Sequence, residues 1–235
     1  MAKRGQKKHV KRIAIPKAVA IRNKKEHVWV TKSKPGPHNH KHAIPLSVLL
    51  RDILQMCKTN REAKTIINNR AVFIDGKVRT EEKFPVGFMD VVHFNGEDKY
   101  YRILVEKHGR LIPAEINADE GKEKIAKVVK KFTYKKNIIM ITLHDGKTIK
   151  ADNNVKVGDS VVVSLPDNSI KKILRMDKGA RCLIKGGKHS GTIAVIEEIM
   201  QKGTREKEAR MKTKEGEFTT VTEHLCVVDD RIRGA

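Results

Sequence analysis

The sequence predicts a multi-domain α+β protein. It divides into a basic N-terminal extension (residues 1–42), a small α/β domain of two helices and a hairpin (43–94), a central β-rich domain (95–173) and a small C-terminal β-barrel (174–235). Three observations predict this. Positive charge is concentrated at the N-terminus, the apolar period changes from helical to two near residue 70, and from about residue 95 short apolar runs alternate with turn signals.

The extension places thirteen Lys and Arg against one acid, Glu26. The whole chain of 235 residues carries 50 Lys and Arg against 28 Asp and Glu, a formal net charge of +22. Self-repulsion of that size adds nothing to stability. A polyanionic partner offsets it, because each phosphate neutralised releases condensed counterions. Nucleic acid therefore leads the candidate partners, ahead of an anionic membrane. The basic start, MAKRGQKKHVKR, is not followed by an apolar signal region, and runs such as NIIMITL are far shorter than the roughly 20 residues a spanning helix needs. Cys57, Cys182 and Cys226 are odd in number and lack a C-x-x-C pair. They fit a reducing cytoplasm better than a zinc ribbon or a disulfide framework.

Few apolar residues lie within 1–42, so this segment is expected to order only on its partner and to be protease-sensitive when free. Its candidate phosphate contacts are Lys3, Arg4, Lys7, Lys8, Lys11 and Arg12, then Lys34, Gly36 and His38 in KPGPH. Trp29 is expected to dock the extension on the neighbouring domain. His38, His40 and His42 alternate, so an extended strand would put them on one side, but no further ligand follows at a recognisable spacing. Contact with phosphates is expected there, and no metal.

Order begins at Ile44. Leu46, Leu49, Leu50, Ile53 and Leu54 form the apolar stripe of a first helix. Thr59 with Glu62 makes a capping box opening a second helix, with Ala63, Ile66 and Ile67 inward and Arg61, Lys64 and Asn68 outward. AVFI, an Asp75-Gly76 turn and KVRT then read as a hairpin. The polar sides present Arg51, Lys58, Arg61, Lys64, Arg70, Lys77 and Arg79, and the second helix and hairpin interleave few acids, which favours a binding face. Beyond residue 95 only ADEGKEKIAKVVKKF reads as helical. Asp145, Asp152, Asp159 and Asp167 sit in turn contexts and are expected to be structural.

Near the end, LIKGGKHSGTIAVI joins two apolar runs through a glycine- and lysine-bearing loop. A nucleotide-binding P-loop needs a glycine at position 182 and a Ser or Thr after Gly187-Lys188, but Cys182 and His189 occupy those places. The following TIAVI is β-branched, so no helix N-terminus is available to hold phosphates. The stretch reads as a strand, a turn and a strand.

KGARCLIKGGKHSGTIAVI resembles the KOW motif of ribosomal proteins and transcription elongation factors, with Gly179, Gly186, Gly187 and Gly191 where its glycines are expected. The resemblance implies a small β-barrel whose loop, Lys185, Gly186, Gly187, Lys188 and His189, approaches RNA. Residues 44–92 resemble the S4 RNA-binding domain. Together, KPGPH, FIDGKVRT, GFMDVV and the KOW stretch resemble, in this order, the S4e family of small-subunit ribosomal proteins. The end at Ala235, without a longer basic tail, points to the archaeal type.

Two rivals fail on residues. VGFMDVVHF lacks the basic residue and the aromatic that an RRM strand needs, with Val86 and Asp90 in their places. Aromatics make up only 4% of the chain, so stacking is not expected to be the main mode of recognition. HGRLIPAE has the G-R-L run of a pseudouridine synthase, but Ile112 stands where its catalytic Asp would be. The resemblance implies a structural constituent of the small ribosomal subunit with no catalytic residue and no cofactor. Its partners would be ribosomal RNA and neighbouring ribosomal proteins, with no membrane and no small-molecule substrate. A KOW motif alone also fits a transient assembly or transcription factor.

Overall fold

The structure, a computed structural model, describes residues 9–96, 99–201, 207–213 and 216–232. Lys3, Arg4, Lys7 and Lys8 lie outside the described residues.

Residues 9–42 are not a free arm. Strand β1 (Val10–Lys11) pairs with β2 (Trp29–Val30). Ile15, Ala18, Val19, Ile21 and Val30 are buried in the main core. These scattered apolar residues suffice because they fill a surface the next domain provides. Trp29 does not dock the segment: it is 58% exposed, with the His9 ring edge-on to it at 5.9 Å.

Strand β3 (Ala43–Pro45) pairs with β6 (Pro85–Gly87). Helix α1 (Leu46–Val48) runs on through a π-turn, Leu49–Ile53, that buries Leu49 and Leu50 completely. Helix α2 (Asn60–Asn68) opens with the expected box: the Glu62 N–H donates to Thr59 Oγ1 at 3.2 Å, and the Glu62 carboxylate accepts from the Thr59 N–H at 3.4 Å. Strands β4 (Val72–Ile74) and β5 (Lys77–Val78) flank Asp75 and Gly76, both at positive φ, the conformation a two-residue hairpin turn requires. With β7 (Val91–Phe94), β8 (Tyr100–Val105) and β9 (Leu111–Ile116) they form an antiparallel sheet ordered β5-β4-β7-β8-β9. This sheet runs past the boundary expected at residue 94. The β9 edge also receives the N-terminal segment, through a Leu111 N–H to Ala18 carbonyl bond of 2.8 Å.

The helix expected in ADEGKEKIAKVVKKF is one short turn, α3 (Ala118–Gly121), followed by the twelve-residue strand β10 (Glu123–Tyr134). Ile125, Val128, Val129 and Thr133 favour strand, and pairing on two sides outweighs the helix-like spacing of the lysines. The first half of β10 pairs with β13 (Ser160–Ser164), itself beside β14 (Ile170–Leu174). The second half pairs with β11 (Ile138–Leu143), beside β12 (Thr148–Lys150). A bulge between Val128 and Lys130 redirects the strand from one set of partners to the other.

The C-terminal sheet is ordered β18-β17-β16-β15-β19, from β15 (Arg181–Ile184), β16 (Ile193–Met200), β17 (Glu208–Thr213), β18 (Gly216–Val221) and β19 (Leu225–Val227). The central and C-terminal sheets each have a small core, but Ile125, Val162, Leu183 and Cys226 join the main one.

Candidate nucleic-acid interface

Ion pairing separates the basic side chains into two groups. Arg12 is 2% exposed; its guanidinium reaches Asp52 at 2.9 Å and Glu26 at 3.4 Å. Arg12 is therefore a structural tie, not a phosphate contact: Asp52 gives it a carboxylate inside the fold, so it is withdrawn from solvent. Arg51 shares Asp52 at 2.8 Å, and Lys34 pairs with Glu81. The Arg79 guanidinium lies 4.4 Å over the Phe84 ring.

Lys58, Arg61, Lys64, Arg70 and Lys77 are exposed and have no carboxylate partner among the described residues. Arg61 and Lys64 share the outer face of α2, one turn apart. The only acid in the first turn of that helix, Glu62, is committed to the cap; hydrogen bonds from the Lys58 and Thr59 backbone hold its pKa below the usual carboxylate value. Local chemistry thus leaves a net positive helix face, continued at the helix exit by Arg70 and at the hairpin by Lys77. Lys11 is also exposed.

His38 is corrected in the same way as Arg12. It is 8% exposed, with Nε2 2.9 Å from Asp90. Its ring lies over Gly87, where an added Cβ would stand 2.3 Å from it. The three imidazoles do not share a side: His40 Nδ1 bonds Ser33 Oγ at 3.2 Å, and His40–His42 form a 3₁₀ turn. Gly36 packs on Pro85, where a Cβ would come within 2.7 Å of Cγ.

A second basic surface arises where three distant segments meet. The Gly191 Cα is pressed against the Glu106–Lys107 backbone, leaving only 2.5–2.8 Å for a Cβ, and φ there is +82°. Gly191 thus serves a contact within the chain. It seats the loop Lys185–His189 beside the β8–β9 turn, which carries Lys107 and His108, both exposed. His42 joins from the N-terminal segment. Its pKa is lowered by burial first, then by the charges of Lys185, Lys41 and His224. Gly187 and Lys188 are exposed at the tip, Gly186 lies against His224, and His189 stacks on Phe218 with ring centroids 4.0 Å apart. Of these only His42 is marked in the sequence, in the alternating histidines; Lys41, Lys107, His108 and His224 carry no signal of their own, because only tertiary folding assembles them.

Beneath these surfaces lies a buried ionic hub. Lys124 Nζ reaches Asp90 at 2.6 Å, Asp75 at 2.7 Å and Asp145 at 3.1 Å. Lys147 adds a second cation, 2.8 Å from Asp75. Burial alone would raise the Asp90 pKa, but Lys124 and His38 hold it far below the usual range. Burial likewise opposes the charge on Lys124, and the three aspartates raise its pKa overall. The hub joins the N-terminal segment, the hairpin turn, β10 and the β11–β12 turn. Lys127 makes the corresponding tie to the C-terminal sheet, donating to the carbonyls of Thr222 at 2.6 Å, Leu225 at 2.8 Å and Glu223 at 3.1 Å.

Three family models match the chain in succession: the RS4NT domain over residues 4–41, the S4 domain over 45–92 and ribosomal family S4e over 97–170. The small ribosomal subunit protein eS4 of Methanosphaera stadtmanae is 39% identical over 229 residues, covering 97% of this chain and 95% of that protein. That of Archaeoglobus fulgidus is 38% identical, covering 94% and 92%. The crystal structure of the 30S ribosomal protein S4e from Thermoplasma acidophilum is similar with a TM-score of 0.70 and 32% identity, over 81% of this chain and 96% of that one.

Proposed function

The chain belongs to ribosomal family S4e, and from that premise we propose that it is a structural constituent of the small ribosomal subunit, in the cytoplasm, acting by binding ribosomal RNA and not by turnover. The observation that carries this reading is the full-length match to small-subunit proteins, borne by a chain of net charge +22. The unpaired cations Lys58, Arg61, Lys64, Arg70 and Lys77 neutralise phosphates of a folded RNA segment, and the surface around Lys185, Lys188 and His42 meets another. Such contacts position the protein on RNA shape more than they read sequence. Residues 1–42 add basic charge beside the S4 domain, and neighbouring ribosomal proteins complete the surroundings.

Sedimentation of a cell extract containing the tagged protein, at moderate and high salt, tests this. The expected result is co-migration with the small subunit at near one copy per particle, resistant to salt. A trace amount that washes off would replace it with a transient assembly factor.

A further inference from the structure

Strand β10 ends in an exposed aromatic pair on a sheet face that faces away from the core. Phe132 is 43% exposed and Tyr134 56%. Alternation puts Lys130, Phe132 and Tyr134 on one side of β10, while Ile141, on the other side of the sheet, is fully buried. The register extends that side across three strands. Lys130, Thr142 and Thr148 form one row, Phe132, Met140 and Lys150 a second, and Tyr134 faces Ile138 in a third.

From the registered placement of Phe132, Tyr134, Lys130 and Lys150 we infer that this face of the β10–β11–β12 sheet binds single-stranded RNA by stacking bases on the two rings. The inference rests on the RNA-binding reading above and adds a surface outside the S4 domain and the C-terminal loop. Charge selects the occupant. No Asp or Glu occurs among residues 129–143, and Lys130, Lys135 and Lys150 are exposed without a carboxylate partner among the described residues. An apolar protein surface laid here would bury those cations uncompensated, whereas a phosphate chain beside the rings neutralises them. Two rings at alternate strand positions stand roughly 6.6 Å apart along the strand, which suits bases splayed from a single strand; a duplex keeps its bases stacked on one another. The paired backbone of β10 and β11 fixes the positions from which both rings project.

The test uses the full chain and two probes, an eight-nucleotide oligouridylate and an RNA hairpin duplex. The double variant Phe132→Leu with Tyr134→Leu keeps apolar bulk and removes both π faces. It is expected to weaken oligouridylate binding about tenfold or more, with duplex binding and melting temperature unchanged. The double variant Lys130→Gln with Lys150→Gln is expected to reduce the salt dependence of oligouridylate binding. Unchanged oligouridylate affinity in the leucine variant, or no binding by the unsubstituted protein, overturns the inference. So does a leucine variant that keeps the oligonucleotide but loses a protein neighbour in reconstituted subunits, which makes the face a protein contact. Sedimentation of the unsubstituted protein judges the ribosomal reading separately, so each can fail alone.

Discussion

At the residue scale, Asp75 and Asp90 turn two loops of the S4 domain into sockets for a lysine from the next domain. Both also hold backbone: Asp90 accepts from the Gly87 N–H of its own loop at 2.8 Å, and Asp75 from the N–H of Val91, which opens β7, at 3.2 Å. Replacing Lys124 by Met would leave three buried carboxylates short of a partner and should cost about 3–5 kcal/mol in denaturant unfolding. His144 supplies a pH dependence. Burial first, then the Lys124 charge, lowers its pKa to about 4, against 6.5 for a free imidazole. Between those values the unfolded chain binds a proton that the native ring refuses, so stability falls as pH drops from 6.5 towards 4. The expected loss is about 1–3 kcal/mol, read from urea titrations at pH 7.5 and 4.5, and His144→Gln should flatten that slope. Below about pH 4, protonation of Asp90 and Asp145, whose pKa values are held low in the native state, extends the loss.

At the scale of elements, β10 shows local pattern yielding to pairing. Its lysine spacing reads as helix, but hydrogen-bonded neighbours on both sides and a shared core make it the spine of the central sheet. The KOW-like loop shows a glycine with a second duty. Gly191→Ala would combine a left-handed backbone with overlap on the Glu106–Lys107 backbone. A loss of about 2–4 kcal/mol is expected, with the region around Lys107 more exposed to hydrogen exchange. At α2, Thr59→Ala removes one half of the capping box and should destabilise by about 0.5–2 kcal/mol in thermal melts.

At the scale of the molecule, among the described residues, cations such as Lys58, Arg61, Lys64, Arg70 and Lys77 stand unpaired on the surface while Arg12, Lys124 and Lys127 tie the interior together. Arg61→Gln with Lys64→Gln should therefore weaken binding to small-subunit RNA uniformly across sequences. The slope of log affinity against log salt should become shallower by roughly one for each phosphate that is no longer neutralised, with the melting temperature unchanged. Arg12→Ala should do the reverse, lowering stability far more than it changes the salt slope. Continuity of the core through residues 15–30 also alters the expected protease pattern. In the free protein, trypsin should spare the Arg12–Ile13 bond, because that guanidinium is buried.

The sequence by itself determined the parts that depend on short-range chemistry and summed charge. Apolar period and capping located α2, the Asp75-Gly76 pair located the hairpin, the failed P-loop at Cys182 and His189 removed a nucleotide site, and the ordered motifs pointed to the S4e family. It determined which cations exist, but not which are free. That was decided by tertiary structure, because Arg12 meets Asp52 forty positions away and His38 meets Asp90 fifty-two positions away. Composition could not separate a solvated arm from a strand docked on a core, nor show that two of a few aromatics stand together beside unpaired lysines. Spacing along the chain reports only neighbours within a turn or a strand, whereas burial and ion pairing depend on which distant segments meet in space.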